Sequence, residues 1–303
     1  MHMQEPILHA EIQKFFLGLM DRKQLGHAYC FVGPKYVGKK RIAFEIIAKI
    51  LHTSVEHVSR HPDFLVVEQE LNEKTGKTKK NIDIEQIQII REFCSTLPMQ
   101  SEKKVVIICG AEKLHTYSSN ALLKTLEEPK GNTVFFLLTE DEHALLSTIR
   151  SRVQIMYLHP QSTEKIFAFL QQQGVEQPLA QSFAETSRGL VEFAVELKEN
   201  SQNYHQEKQR FLGLFGQPLY KKLQDVEVLF GDKKDSIFTR EQLQRVLDFW
   251  QIFNREKFLH AVHEGISEQT FFLIHEKIEE AKKFLEKNVH PRLLVEQILI
   301  EIP

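Results

Sequence analysis

The residues best suited to chemistry form a glycine loop in the first part of the chain. Gly33, Gly38 and Lys39 have the spacing G-x-x-x-x-G-K, between an apolar run and a stretch of helical period. In a phosphate-binding loop, backbone N–H groups surround the phosphates, the lysine reaches the outer ones, and the next Ser or Thr hydroxyl holds Mg²⁺. Lys40 occupies that last position here. An ammonium group cannot ligate a metal ion, so the sequence predicts a phosphate loop without its metal ligand.

The acidic half of a nucleotide-hydrolysing site is missing as well. Such a site uses an aspartate that holds the metal and a neighbouring acid that polarises water. The apolar run 105–108 is instead followed by Cys109 and Gly110. These two independent losses predict that the chain does not hydrolyse nucleotide. Two interpretations of the loop stay open: a plain strand-to-helix turn, and weak, Mg²⁺-independent nucleotide or phosphate binding at Gly38 and Lys39.

Alternating apolar runs and amphipathic stretches supply the framework that positions this loop. Short apolar runs bounded by turn residues predict buried strands, and a 3.6-residue period predicts helices. The predicted strands are 28–32, 64–67, 105–109, 133–138 and 154–158. The predicted helices are 7–20, 39–51, 84–94 and 119–126. Continuous apolar strands that alternate with helices predict an α/β domain with a parallel sheet over residues 1–158.

The chain beyond Pro160 shows only helical patterns. Residues 162–200 predict short helices, and the period stays helical from about residue 204 onward. One apolar stripe of helical spacing is formed by Leu243, Val246, Leu247, Trp250 and Phe253. We therefore predict a small helical domain over residues 159–203 and an all-helical domain over 204–303. The lysine-rich segment 72–81 is interpreted as a solvated loop.

The composition excludes several classes of protein. Of the 303 residues, 42% are hydrophobic and 26% are charged, and the net charge is −2. These values are those of an ordinary globular protein, without the basic excess of a nucleic-acid coat protein. The three cysteines, Cys30, Cys94 and Cys109, indicate a reducing compartment and no disulfide framework. No run approaches the ~20 apolar residues of a membrane helix. We therefore expect a cytoplasmic protein that makes no membrane contact.

Several motifs resemble the δ′ subunits of the bacterial DNA polymerase III clamp loader, a family within the AAA+ superfamily. The most specific is Asn120–Pro129 (NALLKTLEEP), which is followed by the strand FFLLT and by Thr148–Arg152 (TIRSR). Further matches are His61-Pro62-Asp63, Ile84–Ile87 and Pro291–Glu296. The resemblance is strong over residues 25–158, weak from 160 to 285, and returns near residue 291.

The resemblance implies a P-loop AAA+ sheet domain, a helical lid and an all-α collar domain that mediates oligomerisation. It implies a non-hydrolysing, stator-like subunit that assembles with γ/τ and δ subunits and helps to load the sliding β clamp onto primed DNA. Arg152 is implied to be an arginine finger for the nucleotide of a neighbouring γ/τ subunit. No cofactor is required. Many members carry a four-cysteine zinc module, but residues 51–60 contain no cysteine, so no zinc is expected.

Two alternatives accompany this interpretation. Arg152 or Arg150 could instead pair with an acid at the edge of the domain. The whole chain could be a γ/τ-type ATPase with an atypical nucleotide site, using Lys39 and an acid outside the usual motif. The acids at the end of the NALLKTLEE helix, Glu127 and Glu128, fit either an interfacial partner or a solvated helix end.

Two further residues lie where active members of the family place sensors of the nucleotide. Thr139 ends the FFLLT strand, at the position of a polar sensor of the γ-phosphate. Arg188 falls roughly where a second sensor lies in the helical lid. The segment Ser187-Arg188-Gly189 is better interpreted as a turn at a helix terminus.

Overall fold

The computed structural model describes residues 8–70, 79, 81–127, 132–227, 229–230, 240–260, 267–287 and 289–303. The chain divides into two units, residues 1–196 and 197–303. No helix within the described ranges is long and apolar enough to cross a membrane. The loop predicted over 72–81 lies largely outside the described residues, and so does Glu128.

A five-stranded sheet forms the centre of the first unit, because its strands carry the apolar runs that burial on both faces requires. The strands are β1 (Ala28–Val32), β2 (Phe64–Val67), β3 (Lys104–Cys109), β4 (Thr133–Thr139) and β5 (Gln154–Tyr157). Their order in the sheet is β2-β3-β4-β1-β5, and every neighbouring pair is parallel. The prediction of a parallel α/β sheet is confirmed.

Helices cover both faces of the sheet, and successive side chains of β1 enter opposite cores. Tyr29 and Phe31 pack on one face with α1 (Ala10–Asp21) and α2 (Lys39–Ile50). Cys30 lies on the other face, among the buried side chains of three further helices. These are α3 (Ile84–Ser95), α4 (Thr116–Glu127) and α5 (Ser147–Arg150). Two apolar cores therefore hold the sheet from both sides.

Three helices follow the sheet, as the sequence predicts for residues 162–200. They are α6 (Thr163–Gln172), α7 (Gln177–Ser187) and α8 (Val191–Glu199). Helix α7 ends in a left-handed turn, with φ of 50° at Arg188 and 85° at Gly189. A Cβ at Gly189 would lie 2.3 Å from the carbonyl oxygen of Gln161, so only glycine fits this approach. The predicted helix-terminus turn is confirmed.

The second unit consists of helices throughout its described residues. They are α9 (Ser201–Gly213), α10 (Leu219–Glu227), α11 (Arg240–His260), α12 (Glu268–Glu286) and α13 (Pro291–Glu301). The predicted apolar stripe of α11 is buried along its whole length, and Trp250 and Phe253 are fully enclosed. The rings of Phe211 and Trp250 meet with their centroids 5.4 Å apart. The division at 159–203 and 204–303 remains a prediction beside this two-unit arrangement.

Candidate functional site

The glycine loop has the geometry of a phosphate-binding loop at the carboxyl end of β1. Gly33 donates its N–H to the carbonyl of Thr139, at the end of β4, over 3.2 Å. A Cβ at Gly33 would lie 2.6 Å from the carbonyl oxygen of Leu158. Gly38 has φ of 106° and precedes the first residue of α2. Both glycines are therefore required by the backbone itself, whether or not a ligand binds.

Lys39 is folded back onto the loop that carries it. Its Nζ donates to the carbonyl oxygens of Gly33 over 2.7 Å and of Pro34 over 2.8 Å. Burial lowers the pKa of this lysine, and nearby carboxylates, Glu140 first among them, oppose that shift. Two of the three N–H donors of this ammonium group are thus engaged within the loop itself.

The position of the missing metal ligand is occupied by an ion pair. The Nζ of Lys40 lies 3.0 Å from Oε2 of Glu68, which directly follows β2. Burial raises the pKa of the Cys109 thiol to about 11, so it stays a neutral thiol at physiological pH. Gly110 offers no side chain. Among the described residues, no group of three His, Cys, Asp or Glu side chains is placed to hold a metal ion.

His9 ties the segment before α1 to the loop, which sequence reasoning missed. Its ring is buried, and Nε2 lies 2.9 Å from the carbonyl oxygen of Val37. Because a carbonyl only accepts, Nε2 carries the proton, and Nδ1 accepts from the Gln161 amide over 3.1 Å. Burial lowers the pKa of His9. The hydrogen bond to the Val37 carbonyl opposes this shift, and the positive charge of Lys165 adds to it. The histidine is thus held neutral between two segments.

The start of α8 covers the same loop. The backbone N–H of Glu192 donates to the carbonyl of Tyr36 over 2.9 Å. The rings of Tyr36 and Phe193 lie with their centroids 5.8 Å apart. A Cβ at Gly38 would lie 3.5 Å from Cβ of Val191 and 3.3 Å from the ring of His9. The loop therefore joins three separate parts of the first unit.

Arg152 lies between α5 and β5, where it is held on two sides. Its Nη1 donates to the carbonyl of Thr148 over 2.9 Å and to the hydroxyl of Ser151 over 3.2 Å. Its Nη2 lies 2.5 Å from Oε1 of Glu127, the last residue of α4. The side chain remains 33% exposed. The structure thus brings Arg152 together with Glu127, the kind of edge pairing that the sequence left as an alternative.

Arg152 and the glycine loop lie at opposite ends of the strands of the sheet. The loop follows the carboxyl end of β1, whereas Arg152 precedes the amino end of β5, and these neighbouring strands are parallel. The five residues of β1 separate these two ends by roughly 15 Å, at about 3.3 Å per residue. Arg152 is therefore positioned away from the phosphate loop of its own chain.

The other predicted residues have local partners. Arg150 places Nη1 2.9 Å from Nδ1 of His143. The hydroxyl of Thr139 donates to the carbonyl of Asp141 over 2.9 Å and accepts from its N–H over 3.2 Å. Arg188 lies in the turn that ends α7. The sensor roles of Thr139 and Arg188 stay predictions.

The His-Pro-Asp segment, which served only as a mark of resemblance, proves to be a structural anchor. Asp63 is fully buried, and its carboxylate accepts three consecutive N–H groups, from Met99 at 2.6 Å, Gln100 at 2.7 Å and Ser101 at 2.8 Å. Burial acts to raise the pKa of Asp63, but these hydrogen bonds outweigh it and lower the pKa. The anchor fixes the loop that leads into β3.

Comparison with known proteins assigns the chain to a class. The family model described as "DNA polymerase III, delta subunit" matches residues 8–162, half of the 303-residue chain. The chain therefore belongs to this family. The solved structure of a DNA polymerase III gamma subunit-related protein from Thermotoga maritima aligns with a TM-score of 0.56 at 17% identity, over 94% of this chain and 97% of that one. That likeness shows a shared fold, and the predicted α/β domain followed by helices is confirmed.

The curated relatives narrow the assignment within the family. The chain is 29% identical to the DNA polymerase III subunit delta′ of Bacillus subtilis, over 82% of this chain and 72% of the relative. It is also 34% identical to the DNA polymerase III subunit gamma of Buchnera aphidicola subsp. Schizaphis graminum, over 55% of this chain and 46% of the relative. The resemblance to δ′ subunits drawn from the sequence motifs is confirmed.

Proposed function

We propose that this chain is a δ′-type, non-hydrolysing subunit of a DNA polymerase III clamp loader. In this role it assembles with γ/τ and δ subunits and helps to load the sliding β clamp onto primed DNA, in the cytoplasm. It supplies Arg152 to nucleotide bound by a neighbouring γ/τ subunit. The family assignment and the similarity to δ′ and γ subunits support the assembly.

The position of Arg152 is the observation that carries the proposal. A guanidinium has a fixed charge and a planar fork of donors that suits phosphate oxygens. Arg152 is partly exposed and lies at the amino ends of the strands, opposite to the phosphate loop of its own chain at their carboxyl ends. It can therefore act on nucleotide only if that nucleotide belongs to another subunit.

The phosphate loop supports the non-hydrolysing half of the proposal. Lys40 pairs with Glu68 where an active site needs a hydroxyl, and Cys109 and Gly110 replace the acids. This donor set does not fit Mg²⁺, which prefers oxygen ligands such as carboxylates. No catalytic step is assigned to the loop, and neither a nucleotide nor zinc is needed for the proposed role.

Replacing Arg152 by Ala tests the role in trans. We expect the fold and the assembly of a complex reconstituted with γ/τ and δ to be unchanged. Hydrolysis at the adjacent γ/τ site should slow by roughly 10³-fold, the low end of the range for arginine fingers. Single-turnover hydrolysis resolves the loss of that one site from turnover at the others. Arg150→Ala is the matched control, since Arg150 lies two residues away and contacts His143 over 2.9 Å. Equal rates for wild type and Arg152→Ala would refute the proposal.

A γ/τ-type ATPase with an atypical site is the second candidate. It is supported by the similarity to a gamma subunit. It is also supported by Glu112, one of the carboxylates whose charge acts to raise the pKa of Lys39. The Oε2 atom of Glu112 is buried and has no hydrogen-bond partner among the described residues. Phosphate release by the isolated chain with Mg²⁺ and ATP separates the two candidates. Turnover that is lost in Glu112→Gln would favour the ATPase, and no turnover is expected for a δ′-type subunit.

A further inference from the structure

We infer that Glu127 is a positioning residue, which holds the guanidinium of Arg152 in the orientation needed at the neighbouring nucleotide. The inference rests on the proposed function of Arg152 and adds a residue that acts through it. Glu127 is the last residue of α4 and closes the described part of the NALLKTLEE motif.

The geometry around Arg152 resembles a clamp with one open side. Nη1 is held by the backbone carbonyl of Thr148 and by the hydroxyl of Ser151, both within its own turn. Nη2 is held from a different element, by the carboxylate of Glu127 at 2.5 Å. Contacts from two elements fix both the direction and the roll of the guanidinium plane, yet a third of the side chain remains exposed. A phosphate group can approach from that open side.

The location of Glu127 is itself unfavourable without a cation beside it. A carboxylate at the carboxyl end of a helix is repelled by the partial negative charge of the helix dipole. Glu127 is in the last turn of α4, and its side chain is 46% exposed. Its pairing with Arg152 offsets that repulsion. The pair therefore accounts for an acid that the helix alone does not favour.

A free arginine side chain loses much of its rotamer freedom when it is fixed on a ligand. Glu127 fixes Arg152 before the neighbour's nucleotide binds. The loss of side-chain entropy therefore does not add to the activation free energy of hydrolysis. Removing the carboxylate should therefore lower the rate of the step that Arg152 assists, with little effect on how tightly the neighbouring subunit binds nucleotide.

The test uses the reconstituted complex and single-turnover hydrolysis at the γ/τ site next to this chain. We expect Glu127→Ala to lower the single-turnover rate constant at saturating ATP about five-fold, the size expected from freeing one long side chain. The ATP concentration that gives half of the maximal rate constant should be unchanged. Glu127→Gln should restore most of the rate, because the amide oxygen still accepts from the guanidinium. Glu92→Ala, which removes an exposed glutamate near the end of α3, is the matched control and should leave that rate constant unchanged.

A double-mutant cycle separates this inference from the proposed function. If Glu127 acts through Arg152, Glu127→Ala has no further effect in the Arg152→Ala background. An equal five-fold loss in that background would overturn the inference, and so would a faster or unchanged rate for Glu127→Ala alone. No effect of Arg152→Ala by itself would instead refute the role of Arg152 in trans, and the inference with it.

Discussion

Asp63 offers the sharpest test of the energetics in the first unit. Its buried carboxylate accepts the N–H groups of Met99, Gln100 and Ser101, and these three bonds fix the loop before β3. Asp63→Ala removes the acceptor and leaves three donors to find water or to stay unpaired. Asp63→Asn keeps the shape and one acceptor oxygen, but its NH₂ group faces backbone donors. Both changes should destabilise the first unit.

The magnitude follows from the number and type of these hydrogen bonds. A hydrogen bond to a charged group contributes about 1.5–3 kcal/mol. Met99 and Gln100 are exposed residues whose N–H groups can regain water, so the lower end of that range applies. With three such bonds, we therefore expect Asp63→Ala to lower the free energy of unfolding by about 4.5 kcal/mol, and Asp63→Asn by slightly less. At about 2–4 °C per kcal/mol for a unit of this size, the melting temperature should fall by about 9–18 °C.

Thermal unfolding combined with amide hydrogen exchange measures both parts of this prediction. The change in melting temperature gives the magnitude, and exchange at residues 99–101 reports the loop directly. Glu56→Ala, at an exposed position of the first unit, serves as the control for loss of a carboxylate. A loss below about 1 kcal/mol with full protection at residues 99–101 would refute the reasoning from charged hydrogen bonds.

The pH dependence of Asp63 has a definite sign. The pKa of the folded-state carboxyl is below its ordinary value of 3.8, because three N–H groups favour the ionised form despite burial. Its stabilisation is therefore complete above pH 3.8 and is lost as the pH falls through the lowered folded-state pKa. The stability difference between wild type and Asp63→Asn should shrink only in that acidic range.

Two further predictions concern the glycine loop. Burial lowers the pKa of His9 in the folded chain, so the unfolded chain takes up a proton first, and stability should fall as the pH drops below 6.5. Urea unfolding should show a weaker decline between pH 7.5 and pH 5.5 in His9→Gln, and parallel declines would contradict the assigned environment. Lys40→Thr should produce no Mg²⁺-dependent ATP hydrolysis, since Cys109 and Gly110 still replace the acids. Phosphate release by that variant above the background of the wild type would show that the acids are dispensable.

The sheet and the buried stripe of α11 follow from patterns in the sequence, because burial on both faces or on one face imposes a periodicity. Element ends are less well predicted. Helix α4 begins at Thr116, three residues before the predicted start at Ser119. Its first turn has no apolar periodicity, and Ser118 is buried because its hydroxyl donates to the carbonyl of Ile82 over 3.0 Å. Such a contact between distant residues leaves no local signal.

The candidate site shows the same limit. The spacing of Gly33, Gly38 and Lys39 predicts the loop and its place after β1, because that spacing is a local requirement of the backbone. His9 meets Gln161 across 152 residues of sequence, and no periodicity connects them. The pairing of Arg152 with Glu127 depends on how α4 and α5 pack. The sequence therefore indicated that an acid could pair with Arg152 but did not predict which one.

The contacts that other segments make with the glycine loop determine how a mechanical force is transmitted through the first unit. Two segments bind the loop directly: the residues before α1 through His9, and α8 through the N–H of Glu192. Gln161, which follows β5, is linked to the loop through its hydrogen bond to His9. A lid that moves with a ligand needs a flexible joint, whereas two direct attachments to one short loop make a rigid connection. We expect a pull on α8 to be carried straight into β1 and the centre of the sheet.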